Sequence, residues 1–304
     1  MPQINLRLSE LKRQRITKKQ KAEIKAMYKD LAKTAKAHRK QLEGVGTGTA
    51  FLQRQRLDDM VQALSVESKL ISGSLETKIL NNMTVMSQTT VTDMNQFLTK
   101  ANLNIKGAYA HVPTEVVQSI YSGKIYEGNW SLSQAIWGND QKILDDIQKI
   151  VAKGTAENLS AYDIAKDLER YVNPSARKDW KWSKVYPGTN KVVDYNAQRL
   201  ARTMVSHAYQ QSVIQTAKDN PYIDGIKWLS SGTERMCDLC AERDGKIYSP
   251  EDIPLDHPNG MCSYAPVITK SFQQISDELA NNRLEELNNP EFQKWKNSMR
   301  GKST

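Results

Sequence analysis

Residues 51–103 read FLQRQRLDDMVQALSVESKLISGSLETKILNNMTVMSQTTVTDMNQFLTKANL. Leu57, Met60, Val61, Leu64, Ile71, Leu75, Ile79, Met83, Met86, Met94, Phe97 and Leu98 recur mostly three or four residues apart, the period of one helix face. No proline lies between Pro2 and Pro113, so nothing in that span removes a backbone donor from a helix. The pattern fits one long bent helix or two shorter ones. Upstream, Ile24, Met27, Tyr28, Leu31, Ala35 and His38 share the face of an earlier helix. Gly44, Gly46 and Gly48 break it. The fold expected from these stripes is mainly α, opening with long N-terminal helices that pack together or form a stalk docking on a larger assembly.

The chain has 304 residues and a net charge of +9, enough for about two domains. Its charge is uneven: residues 1–40 hold thirteen of the 43 Lys and Arg against three acids, and the remainder is close to neutral. Lys12, Arg13, Arg15, Lys18, Lys19, Lys21, Lys25 and Lys29 are therefore candidates to meet double-stranded DNA phosphates without sequence preference, or an acidic partner. A merely soluble lysine-rich helix is the plainer alternative. No run approaches the roughly 18 apolar residues of a membrane span. The basic start has no apolar h-region, so export is not expected. Three cysteines do not make a disulfide framework, which points to assembly in a cytosol. A glycine-rich phosphate loop, a G-x-S-x-G elbow and an H-E-x-x-H helix are all missing, so no enzyme is expected.

After Pro113 the texture changes. Trp130 and Trp137 arrive close together, then Ile143, Ile147, Ile150 and Val151 mark a further helix. Ser160 reads as an N-cap before Ile164, Ala165 and Leu168, with Pro174 at the exit. Residues 179–196 suggest a hairpin, with Trp180, Trp182 and Tyr186 alternating before a Pro187–Asn190 turn and Val192 and Val193 returning. Those aromatics, beside Lys181 and Lys184, suit a half-buried sheet face or base stacking. A helix over about 195–219 buries Leu200, Ala201, Met204, Ala208 and Val213. Arg199, Arg202, Thr203 and His207 share its polar face, read as a structural surface that hydrogen-bonds the neighbouring module. A nuclease using Arg202, His207 and Asp244 is a competing reading without an acidic pair to support it.

All three cysteines and one of four histidines fall within 26 residues. Cys237, Cys240, His257 and Cys262 are spaced C-x2-C-x16-H-x4-C. Three thiolates and one imidazole suit a closed, tetrahedral, structural zinc site. Asp244 and Gly245 make a turn between this knuckle and a Lys246–Tyr248 strand. A redox dithiol is the alternative, and it needs a βαβ setting with a helix starting at the first cysteine. A chance cluster or a zinc-ribbon nucleic-acid-binding protein also remains open.

These residues resemble the phage Mu F-like family of minor head (head morphogenesis) proteins. The similarity runs through Arg199, Arg202 and Thr203, the Ile226–Trp228 strand, Arg235-Met-Cys237-Asp-Leu-Cys240, Asp244-Gly245 and His257-Pro258-Asn259. It covers about residues 125–268. Gly260 and Met261 stand where the commoner family pattern has Cys and Arg, so Cys262 alone remains from that end. The resemblance implies a minor capsid protein of a tailed phage, present in few copies in the procapsid near the portal. It further implies portal, scaffold or major capsid protein as partners, a virion location inside the capsid after assembly in the host cytoplasm, and a part in DNA packaging or ejection. The expected organisation is a basic helical region at 1–110, an α+β head-morphogenesis module with β-hairpins at 111–268 and its zinc-stapled knuckle at 226–266, and a polar tail at 269–304.

Overall fold

The computed structural model describes residues 6–43, 50–100, 109–173, 193–230 and 236–271, with isolated positions 175, 186, 232, 274, 275, 290, 294, 297 and 298. The described residues are mainly helical. They form α1 (Arg7–Glu43), α2 (Ala50–Lys100), α3 (Val112–Tyr121), α4 (Leu132–Ala156), α5 (Ala161–Val172), α6 (Tyr195–Lys218) and a short α7 (Asp238–Arg243). A small antiparallel sheet of order β2-β1-β3 joins β1 (Gly225–Leu229), β2 (Ile247–Tyr248) and β3 (Ser263–Val267). The stripe from Leu57 to Leu98 lies on a single 51-residue helix rather than two.

The compact units do not follow chain order. One gathers Met1–Thr17, Leu80–Asn129 and Arg202–Thr304; the other gathers Lys18–Ile79 and Trp130–Ala201. Helices α1, α2 and α6 each give residues to both.

In the second unit Ile24, Tyr28, Leu31 and Ala35 of α1 and Leu57, Met60, Leu64, Leu75 and Ile79 of α2 are buried. Ile136, Ile143, Ile147 and Ile150 of α4 and Ile164, Leu168 and Tyr171 of α5 are buried with them. The N-cap expected at Ser160 holds, and a second one begins α4. Ser131 and Gln134 form a reciprocal capping box on α4, and the Ser160 side chain accepts from Asp163 N at the start of α5, satisfying donors a helix start leaves open. Gly154 lets α4 and α5 approach, since a Cβ there would lie 2.6 Å from the Ile164 side chain. Asp146, fully buried, accepts from Lys142 Nζ at 2.6 Å and from the Tyr171 hydroxyl at 2.9 Å.

The first unit is organised by α6, whose Val205, Ala208, Tyr209 and Val213 are fully buried. Leu6 and Ile16 of the N-terminal stretch, Met83, Met86, Met94 and Leu98 of α2, and Val112, Val116 and Ile120 of α3 are buried too. From the sheet, Ile226, Trp228 and Tyr264 complete this core, with the two rings edge to face at 5.1 Å. The β1–β3 register sets Trp228 opposite Tyr264, an aromatic cross-strand pair of the stabilising kind. Ser9 gives both its N–H and its hydroxyl to Asp93 Oδ2, at 2.9 and 2.8 Å.

The hairpin expected over 179–196 lies mostly outside the described residues, as do Trp180, Trp182, Lys181 and Lys184. Its last four residues are not strand: 193–194 turn and α6 begins at Tyr195. Asp194 accepts from Gln198 N through its carbonyl and from Gln198 Nε2 through its carboxylate, which commits this stretch to the helix start. The polar tail expected over 269–304 also falls mainly outside the described residues.

Candidate metal centre

The knuckle hangs from the end of β1. Trp228 N donates to Lys246 O at 2.8 Å and Gly245 N returns a bond to Trp228 O at 2.9 Å, while Asp244 Oδ1 accepts from Ser230 N at 2.7 Å. That backbone donor holds the Asp244 carboxyl below its ordinary range. Gly245 takes φ +77, a left-handed turn position that glycine adopts without steric cost. Cys237 sits at the N-cap of α7 in an extended conformation, and Cys240 lies one turn on with its side chain inward. The Cys240 backbone N–H lowers the Cys237 thiol, whereas burial raises that of Cys240.

The closing loop is held from α6. Asn259 N donates to Thr203 Oγ1 at 2.8 Å, and Ser206 Oγ donates to Gly260 O at 2.9 Å. The Gln210 amide brackets the loop, giving Nε2–H to Pro254 O and accepting from Asp256 N. His207 Nε2 donates to Asp256 O at 3.0 Å, so Nδ1 is left to accept from the Tyr126 hydroxyl, also at 3.0 Å. Burial pulls the His207 pKa down to about 4, so the ring is neutral over ordinary pH.

Of the polar face expected on this helix, Thr203 and His207 grip the loop, while Arg199 is exposed and Arg202 half-buried. Ser206 and Gln210 complete the grip and were missed; the spacing 203, 206, 207, 210 is the signal that identifies them.

Three potential ligands converge on one point. His257 Nε2 lies 3.1 Å from Cys240 Sγ and 3.4 Å from Cys237 Sγ. His257 Nδ1–H donates to Pro258 O at 3.1 Å, which leaves the Nε2 lone pair facing the sulfurs, the orientation metal-binding histidines take. Cys262 enters through Cys240, with the sulfurs 3.4 Å apart. A tetrahedral zinc would set sulfur pairs about 3.8 Å and sulfur–nitrogen pairs about 3.6 Å apart, so small adjustments admit the ion. Ligand atoms of Cys237, Cys240 and His257 lie within 4.8 Å of one another; so, as a second group, do those of Cys240, Asp256 and Cys262. The chemistry of the set, soft thiolates with one imidazole, fits zinc.

Asp256 had no place in the sequence reading. It is 3% exposed, and burial pushes its carboxyl above its ordinary range. The redox alternative meets one of its two conditions, since a helix does start at Cys237; the βαβ setting is absent, because β1 and β2 are antiparallel. Of the residues of the nuclease reading, His207 is hydrogen-bonded at both ring nitrogens and Asp244 accepts from Ser230 N at the knuckle turn.

One expected contact residue moves indoors. Arg15, Lys18, Lys19, Lys21, Lys25 and Lys29 are exposed and Lys12 is half-exposed, but Arg13 is buried. Its guanidinium donates to Cys262 O, Met261 O and Ser263 Oγ at 2.7, 3.1 and 3.3 Å. Periodicity explains this: Ser9, Arg13 and Ile16 are three and four apart on the inward face of α1.

No protein-family model matches the chain, and no curated protein or solved structure is significantly similar to it.

Proposed function

We propose that this chain is a structural, metal-stapled protein: a minor head (head morphogenesis) component of a tailed phage, of the Mu F-like kind. Cys237, Cys240, His257 and Cys262 hold one zinc ion. When bound, the ion cross-links the knuckle to the closing loop, which the residues of α6 and Arg13 already position. The protein enters the procapsid in few copies beside the portal, and the exposed cations of α1 contact packaged DNA without sequence preference. The observation that carries the metal assignment is the approach of Cys240 Sγ to both His257 Nε2 and Cys262 Sγ, at 3.1 and 3.4 Å. The head assignment is supported by the motif resemblance around that site.

The test is zinc per chain in protein purified without a metal-affinity tag, beside Cys240→Ser. About one zinc in the parent and none in the variant is expected, because Cys240 belongs to both ligand groups. A zinc-free parent with intact thiols overturns the metal assignment. Co-purification with the portal protein encoded by the same phage tests the head assignment, and its failure in assembling particles overturns that.

A further inference from the structure

We infer that Asp256 is a reserve metal ligand, which with Cys240 and Cys262 forms an inner site that keeps the ion when Cys237 lets go. This rests on the metal assignment above and concerns how the same site holds its ion.

Two ligand groups share Cys240. The outer one, Cys237 and His257, is accessible: Cys237 is exposed and His257 half-exposed. The inner one is not, with Cys240, Asp256 and Cys262 at 4%, 3% and 2% exposure. Asp256 Oδ1 accepts from His257 N at 2.9 Å, while its Oδ2 is buried without a close hydrogen bond; the buried Tyr264 hydroxyl, likewise without one, is the donor that faces the carboxyl. A buried carboxylate oxygen left in that state is costly unless something binds it.

Gly260 makes the room. A Cβ there would collide with both carboxylate oxygens of Asp256, so a side chain at 260 would expel the carboxylate from its place beside the sulfurs. Exchanging a thiolate for a carboxylate leaves the charge of the centre unchanged, and zinc accepts either ligand. Cys240 belongs to both groups, so an ion held by either would keep that ligand.

The experiment titrates full-length protein with cobalt(II) alone, following bound metal and the thiolate-to-cobalt charge-transfer absorbance. Four proteins are compared: parent, Cys237→Ser, Asp256→Asn and the double variant. Asn keeps an acceptor for His257 N, and Asp256→Asn by itself must load cobalt, which makes it the folding control. The parent and both single variants are expected to hold about one cobalt per chain, with the Cys237→Ser spectrum reduced by one thiolate. The double variant, left with Cys240, His257 and Cys262, is expected to hold markedly less cobalt than Cys237→Ser at the same metal concentration. Equal loading of Cys237→Ser and the double variant overturns the inference, as does an empty Asp256→Asn. A parent that takes no cobalt instead overturns the underlying metal assignment.

Discussion

The guanidinium of Arg13 donates a 2.7 Å hydrogen bond to the carbonyl oxygen of Cys262, across 249 residues of chain. The same group lies 4.6 Å from the centre of the Tyr209 ring. One planar cation thus joins the start of α1, the middle of α6 and the residue that closes the cysteine cluster. A fork with several fixed donors suits this task; a lysine ammonium does not.

Arg13→Met should therefore destabilise the protein by about 2–4 kcal/mol, since it leaves two backbone carbonyls without their charged donor. Urea unfolding measures this. Arg13→Lys should recover only a minor part, and a loss under about 0.5 kcal/mol would show that the contact is incidental.

Glycines at two places should answer oppositely to alanine. Gly73 and Gly138 lie inside helices, and a Cβ on either meets nothing within 4 Å, so Gly73→Ala and Gly138→Ala should each stabilise by about 0.5–1 kcal/mol. Gly260→Ala should destabilise by about 1–3 kcal/mol, because the Asp256 carboxylate must move from a packed site. Thermal or urea unfolding of the three variants gives the comparison.

His207 makes stability depend on pH. Its pKa falls from about 6.5 to about 4 on folding, so between those values the unfolded chain binds the proton and the folded chain does not. Stability is present in full above pH 6.5 and is lost as pH falls toward about 4. Asp256, whose carboxyl is raised, works in the opposite sense. In zinc-saturated protein, His207→Gln should flatten the fall in unfolding free energy between about pH 7.5 and 5 relative to the parent; equal slopes would assign the acid sensitivity to other groups.

Removing α1 would not test its charge, because the helix carries core residues such as Ile24, Tyr28 and Leu31. Lys18, Lys25, Lys29 and Lys36 are exposed and lie within about 20° of one line along some 27 Å of helix. Replacing these four by Gln should keep the fold and weaken duplex DNA binding at low salt. The salt slope should drop by about 3 to 4. Unchanged binding would leave the lysines a solubilising role.

Legibility followed period and spacing. The stripe from Leu57 to Leu98 and the Ser160 cap could be read directly, because each depends on near neighbours. Cys237, Cys240, His257 and Cys262 were legible from ligand spacing, and the structure brings them close together. Asp256 was not, since nothing local distinguishes an acid that ends up beside two sulfurs from a solvated one. Arg13 was hidden for the same reason: its partners, the carbonyls of Met261 and Cys262, are backbone atoms that carry no residue-type signal. The end of the expected hairpin failed where Asp194 favours a helix start over the returning strand implied by Val192 and Val193.

The interleaving of segments sets a timetable for synthesis. Residues 6–17 leave the ribosome with Leu6, Ser9 and Arg13 destined for an interior whose other walls come from residues 80–129 and 202–271. At typical elongation rates of 5–20 residues per second, roughly 10–50 s pass between Arg13 and Cys262. During that wait Arg13 lacks the Met261 and Cys262 carbonyls, while the Lys18–Ile79 and Trp130–Ala201 set is already made. Every residue of one half therefore exists before Arg13 can close on the cysteine loop.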